Sequence, residues 1–194
     1  MPNVHAVHSV GHSLVTWLRN AYPASLRTVT ECEFLLLSSG EMQSKEERGP
    51  AISLWLYRVL PNEHLRNAPR RADHPDSRPP LYLDLYYLLT VWADNALAEH
   101  LLLTWAMDRL HDVPALDASA LSPEGNWGYG DTVQLQPTEM PTEDMMRVWD
   151  GVQAGYRLSV PYVARVVRID PEHEPDQRPV VATRFGVGGR DEVR

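Results

Sequence analysis

The chain has 194 residues and a mass of 22.0 kDa, with 43% hydrophobic and 23% charged residues, which excludes wholesale disorder and fits one ordinary domain. Its 18 basic and 26 acidic residues leave a net charge of −8, a surface that repels phosphate backbones, so nucleic acid is not an expected partner. Cys32 is the only cysteine, which rules out an internal disulfide and any multi-cysteine metal cluster.

No apolar run approaches the roughly 20 residues that span a bilayer, and the opening Met-Pro-Asn-Val-His lacks a basic leader region. The expected location is therefore cytoplasmic, without membrane contact. Lys45 is the only lysine, so nearly all cationic surface is arginine, whose planar head suits protein interfaces but also follows from base composition.

Val4 to Tyr22 reads as an amphipathic helix with Val4, Val7, Gly11, Leu14, Val15 and Leu18 on one arc, ended by Pro23. A strand is expected over Val29 to Leu37, then a polar loop from Ser38 to Gly49. Ala51 to Leu60 carries apolar residues on both faces, as a covered central strand does. Residues 62 to 80 hold four prolines and Arg66, Arg70, Arg71 and Arg78, a long basic loop in an acidic chain.

Leu81 to Ala93 is a second strong strand, with Leu83, Leu85, Tyr87 and Leu89 on one face and Tyr82, Asp84, Tyr86 and Leu88 on the other. Asp94 and Asn95 offer caps for a helix to His111, apolar around most of its girth except His100, Thr104, Asp108 and His111. Leu121 to Gly130 is a glycine-aromatic turn region, and Asp131 to Gln136 a half-exposed strand. Pro141 to Val152 forms a helix with acidic residues at its positive end. Tyr156 to Ile169 is the last long strand, and Pro161 within it marks a local edge or a bend. A proline-bearing break follows, then a short strand over Val180 to Phe185 and a mobile tail over 186–194, leaving one domain over 1–185. The order implies an α/β (α+β) fold with a mixed, largely antiparallel sheet flanked by helices.

Three groups invite a chemical reading. His5, His8 and His12 share one helical face, the spacing of a metal site, but no carboxylate on that helix completes them. A solvated flank is the plainer reading, and no metal or other cofactor is expected. Asp84 sits among apolar strand residues, where a carboxylate serves as an acid or base or pairs with an arginine; Arg58 is the expected partner. Cys32 lies between Glu31 and Glu33, which oppose thiolate formation, so it reads as a small buried apolar residue. Gly125, Gly128 and Gly130 fit no nucleotide-binding fingerprint, and no hydrolase or metalloprotease motif is present.

The ordered segments resemble one family, the tail-terminator or cap proteins of extracellular contractile injection systems, phage-tail-like particles of the antifeeding-prophage and virulence-cassette type. The resemblance lies in Ile52 to Asn62, Arg78 to Ala93, Glu99-His-Leu-Leu-Leu103, Trp149, Tyr156 to Tyr162 and Val166 to Pro171. It covers most of the chain and corresponds to the family's N-terminal core domain. It implies a tail-terminator-like fold and a structural, non-enzymatic role. A ring, expected to be a hexamer, sits on the tube end away from the baseplate, stops inner-tube polymerisation and anchors the last sheath layer. Partners are then the chain itself, the inner-tube protein and the sheath protein, in a phage-tail-like particle.

A baseplate or tube-adaptor position in the same particle is the alternative, and a histidine-based metal binder a more distant one. Exposure and residue type, not the family, nominate Arg66, Arg70, Arg71, Arg78, Trp105, Trp127 and Tyr129 for the interfaces.

Overall fold

A computed structural model provides the structure, and it describes residues 2–44, 48–65 and 79–171. In chain order it contains α1 (Ala6–Ala21), α2 (Ala24–Arg27), β1 (Glu33–Leu37), α3 (Ser39–Gln43), β2 (Ala51–Pro61) and β3 (Leu81–Trp92). Then follow α4 (Ala96–His111), β4 (Ala115–Asp117), a 3₁₀ turn (Pro123–Gly125), β5 (Thr132–Pro137), α5 (Thr142–Val152) and β6 (Ser159–Ile169). The strands form one six-stranded sheet in the order β1-β2-β3-β6-β5-β4, with β1 parallel to β2 and every other pair antiparallel. The expected mixed, largely antiparallel sheet flanked by helices is what the chain adopts.

Alternation of apolar residues along β3 places two cores. Leu83, Leu85, Tyr87, Leu89 and Val91 join Val10, Leu14 and Leu18 of α1 and Leu102, Ala106 and Leu110 of α4 in the larger core. Leu88 and Trp92 turn the other way and meet Met42 of α3 with Met145, Trp149 and Val152 of α5. Helices therefore cover both faces, as an apolar strand of period two requires. Buried polar groups in the strands are satisfied: Trp92 Nε1 donates to Ser53 Oγ at 2.8 Å, and Thr90 and Ser159 share a hydroxyl bond at 2.9 Å.

The elements depart from the sequence reading at several places, and the short α2 and β4 are absent from it. Val29 to Leu37 is not all strand: Leu26 accepts from the Val29 and Thr30 amides at 3.0 and 2.8 Å, and β1 begins only at Glu33. The polar loop hides α3, started by a capping box in which Ser38 Oγ accepts from the Glu41 amide and Glu41 reaches back to the Ser38 amide. Val4 lies outside the buried arc of α1, while Ser9 and Ser13 lie inside it. β2 is buried on both faces only over Ala51 to Leu54, and from Trp55 on it is half-buried or exposed. Residues 66–78, the expected strand at 180–185 and the tail at 186–194 lie outside the described residues.

Pro161 fits an interior strand for a local reason. Its carbonyl accepts from Thr138 just past the end of β5, so the side that lacks an amide faces no strand partner.

Asp84 has a structural role, with a partner other than Arg58. The β3–β6 register shifts between Leu83 and Leu85, leaving Arg165 and Val166 as a bulge in β6. Val166 takes φ +64°, a strained value for a β-branched residue, and its amide donates to Asp84 Oδ1 at 3.2 Å. Asn62 Nδ2 donates to both carboxylate oxygens at 2.9 and 3.1 Å. Arg58 instead lies over the Tyr86 ring, 5.5 Å from its centroid. Asp84→Ala leaves the Val166 amide and the buried Asn62 without acceptors. It should lower unfolding free energy by about 1–3 kcal/mol in urea titration, whereas Arg58→Ala should cost under about 1 kcal/mol.

Candidate assembly surfaces

The glycine-aromatic segment 121–130 is tied to α1 by serines on its buried arc. Ser9 Oγ donates to the Ser122 carbonyl at 2.8 Å and accepts from Trp127 Nε1 at 2.9 Å. Ser13 Oγ accepts from the Ser122 amide at 2.7 Å and donates to the Ser9 carbonyl at 2.6 Å. Three of these four bonds fasten the irregular segment to α1 and pair its buried polar groups. Gly125 is required here: a Cβ would lie 2.3 Å from Trp127 Nε1.

The histidine arc meets this loop. Glu124, on the 3₁₀ turn, supplies the carboxylate that α1 lacks: Oε2 lies 3.3 Å from His8 Nδ1 and Oε1 3.6 Å from His12 Nδ1, with the two rings stacked at 5.9 Å. His5 is exposed and takes no part. Among the described residues no group of three or more His, Cys, Asp or Glu side chains is placed to hold a metal ion. The cluster reads as a polar contact between α1 and the turn, with the His8–Glu124 hydrogen bond as its link.

The nominated interface residues divide. Arg66, Arg70, Arg71 and Arg78 lie outside the described residues. Trp105 is half-buried and belongs to an aromatic trio, 4.9 Å from Tyr22 and 5.8 Å from Phe34, all edge-to-face. Trp127 is half-buried with its indole committed to Ser9. Tyr129 alone projects fully into solvent. On α4 the buried stripe is Ala98, Leu102, Ala106 and Leu110; Leu101, Leu103 and Met107 are half-buried and Leu97 is 75% exposed. Part of its wide apolar girth thus faces solvent.

A further surface was missed in the sequence. Trp55, Tyr57 and Tyr86 are half-buried on one sheet face at the margin of the α3–α5 core, with ring separations of 6.3 Å and Arg58 over Tyr86. Aromatic rings beside an arginine are the composition of interface hot spots. Alternation in the sequence counts these residues as core, and only the short reach of α3 and α5 leaves them at the rim.

Cys32 is half-buried, and burial, reinforced by Glu33, pushes its thiol up to about 12. The thiolate is scarce at neutral pH. Alkylation by iodoacetamide at pH 8 should therefore run at least about 100-fold slower than for free cysteine and recover in denaturant, a rate followed by mass spectrometry. Ser9→Ala removes the acceptor of the Trp127 indole and should cost about 1–3 kcal/mol in urea unfolding, with faster hydrogen exchange at that indole N–H.

A mixed sheet with helices on both faces and a loop stapled to its first helix defines a scaffold with surfaces to present. The sequence profile of the Pvc16 N-terminal domain matches residues 9–183, and the chain belongs to that family. Among solved structures it is similar to an extracellular contractile injection system component described as the PVC sheath/tube terminator in extended state. That match has a TM-score of 0.59 and 17% identity, over 96% of this chain and 65% of that one. It is also similar to the anti-feeding prophage cap, a tube-terminating cap, with a TM-score of 0.47 and 20% identity over 71% of this chain and 50% of that one. The chain thus spans about two-thirds or less of the length of the solved chains it matches. No curated protein sequence matches it. Among the described residues no helix is long and apolar enough to cross a membrane.

Proposed function

We propose that this protein is a structural terminator of a contractile injection particle. It forms a ring, expected to be a hexamer, on the baseplate-distal end of the inner tube, where it ends tube polymerisation and anchors the last sheath layer. The observation that carries this reading is membership of the Pvc16 N-terminal domain family over nearly the whole chain. The likeness in fold to a solved sheath/tube terminator agrees with it.

The surfaces suit a ring. Identical subunits close a ring only through heterologous contacts, in which two different patches of one chain meet. The exposed flank of α4 with Leu97, and the Trp55–Tyr57–Tyr86 face with Arg58, are two such patches on separate elements. Tyr129 on its stapled loop, and Arg66, Arg70, Arg71 and Arg78, are further contact candidates. The role is non-enzymatic: work is done by matching a polymer end, with no bond made or broken.

Deletion of the gene should give particles with uncontrolled tube length and detached sheath ends, seen by negative-stain electron microscopy. The purified protein should sediment as a ring, alone or with tube protein. A strict 22 kDa monomer together with unchanged particle length on deletion would overturn the proposal.

A further inference from the structure

We infer that Arg165, a cation that a strained bulge in β6 withholds from its in-register ion pair, is a contact residue of the assembled ring and takes a carboxylate of the neighbouring copy of this chain. The inference rests on the terminator reading and names one contact of its ring.

Strand register supplies the first observation. Leu85 pairs with Ala164, so a regular antiparallel ladder sets Asp84 directly opposite Arg165 on one sheet face. Opposite charges so placed make a stabilising cross-strand pair. The chain does not form it. One extra residue enters β6 after Arg165, and pairing resumes with Leu83 opposite Val167, Tyr82 opposite Arg168 and Leu81 opposite Ile169. A chain without Val166 would keep those three pairs, lose the bulge and bring Arg165 to Asp84. Placing the residues that follow therefore does not require Val166.

The extra residue is also strained. Val166 takes φ +64°, a left-handed value that its branched Cβ disfavours. Such strain persists only where the surroundings hold it, and a bulge re-aims the side chains beside it. Asp84 is the holder: Oδ1 accepts from the Val166 amide at 3.2 Å, and both oxygens accept from Asn62 Nδ2 at 2.9 and 3.1 Å. Asn62 is itself buried, donating its amide to the Tyr82 carbonyl at 2.8 Å and accepting from the Leu65 amide at 3.0 Å. The carboxylate that register assigns to Arg165 is thus committed to neutral groups.

Arg165 is left exposed. With the Gln136 amide turned so that its oxygen faces the guanidinium, Arg165 Nε and Nη1 both donate to that oxygen at 3.2 Å. A neutral acceptor aims the head and leaves its charge uncompensated. Among the described residues no carboxylate forms an ion pair with it.

Charge selects the occupant. The chain carries 26 acidic against 18 basic residues, a net charge of −8. Identical subunits of that charge repel one another, and their contacts are favoured where cations of one copy meet carboxylates of the next. An arginine denied its own carboxylate suits that role, because its planar head takes a carboxylate through two parallel bonds.

Sedimentation, with and without tube protein, and urea unfolding of full-length variants test this. Arg165→Glu should need about tenfold or more concentration to form the ring, with the unfolding midpoint of the separate chain unchanged. Added salt should weaken the wild-type ring and affect Arg165→Glu less. Deletion of Val166, which returns Arg165 to Asp84, should lose the ring to the same degree with a midpoint no lower than wild type. Val166→Gly keeps the bulge and eases the strain, so it should assemble as wild type does. Arg165→Glu and Val166→Gly decide the matter even where the shortened chain does not fold. A ring unchanged in Arg165→Glu, or a lowered midpoint there, which marks a partner within the chain, overturns the inference. So does loss of tube binding in Arg165→Glu with the ring intact, since the carboxylate then belongs to the tube. Particles of normal length from Arg165→Glu with an intact ring leave the terminator reading standing, whereas a wild type that stays monomeric beside tube protein ends both.

Discussion

Everything in this molecule is hung on β3. From Tyr87 on, both of its faces are almost wholly excluded from water: Tyr87, Leu89 and Val91 on one side, Leu88 and Trp92 on the other. Removing that much apolar surface from water on both faces demands helices above and below the sheet, and α1 with α4, and α3 with α5, supply them. Tyr87 shows how tightly the layers are fixed. Fully buried, it donates to the Val7 carbonyl at 3.3 Å, and Gly11 passes so close that a Cβ there would lie 2.8 Å from Leu36 and 3.3 Å from the Tyr87 hydroxyl. Burial raises the Tyr87 hydroxyl well above the ordinary tyrosine range, so it stays neutral and keeps its bond at any physiological pH.

Around that rigid centre the polar residues act as fasteners. Asp84 satisfies a bulge that bends β6 and forces Val166 into a left-handed backbone. Ser9 and Ser13 hold segment 121–130 against α1, and Ser38 with Glu41 starts α3. Each is a short side chain that completes a backbone group with no regular partner, and each fixes the direction in which a loop leaves the sheet. The segment that carries Tyr129 holds its position through such local bonds. A protein that works by presenting fixed surfaces to neighbouring subunits needs this kind of rigidity.

The sequence made much of this legible. The paired faces of β3, the helix from Asn95 to His111 with its side-chain cap on the Ala98 amide, and the acidic start of α5 all follow from periodicity and cap chemistry. The resemblance that named the family rested on blocks from the same segments. Legibility failed where an element is short. α3 has one capping box and five residues, and β4 three residues, too few for a period to show. It failed also for pairing: Asp84 and Arg58 lie on neighbouring strands, but a bulge in β2 and another in β6 moved their partners to Tyr86, Asn62 and Val166.

What the sequence alone determined, then, is the list of long elements and which of their faces are apolar, because period and hydrophobicity are properties of neighbouring residues. Tertiary structure decided which carboxylate meets the histidines of α1, and which aromatic residues are core and which stand at a rim. Those outcomes depend on strand order and on bulges that shift register by a residue, and such choices are made by the whole chain closing around β3.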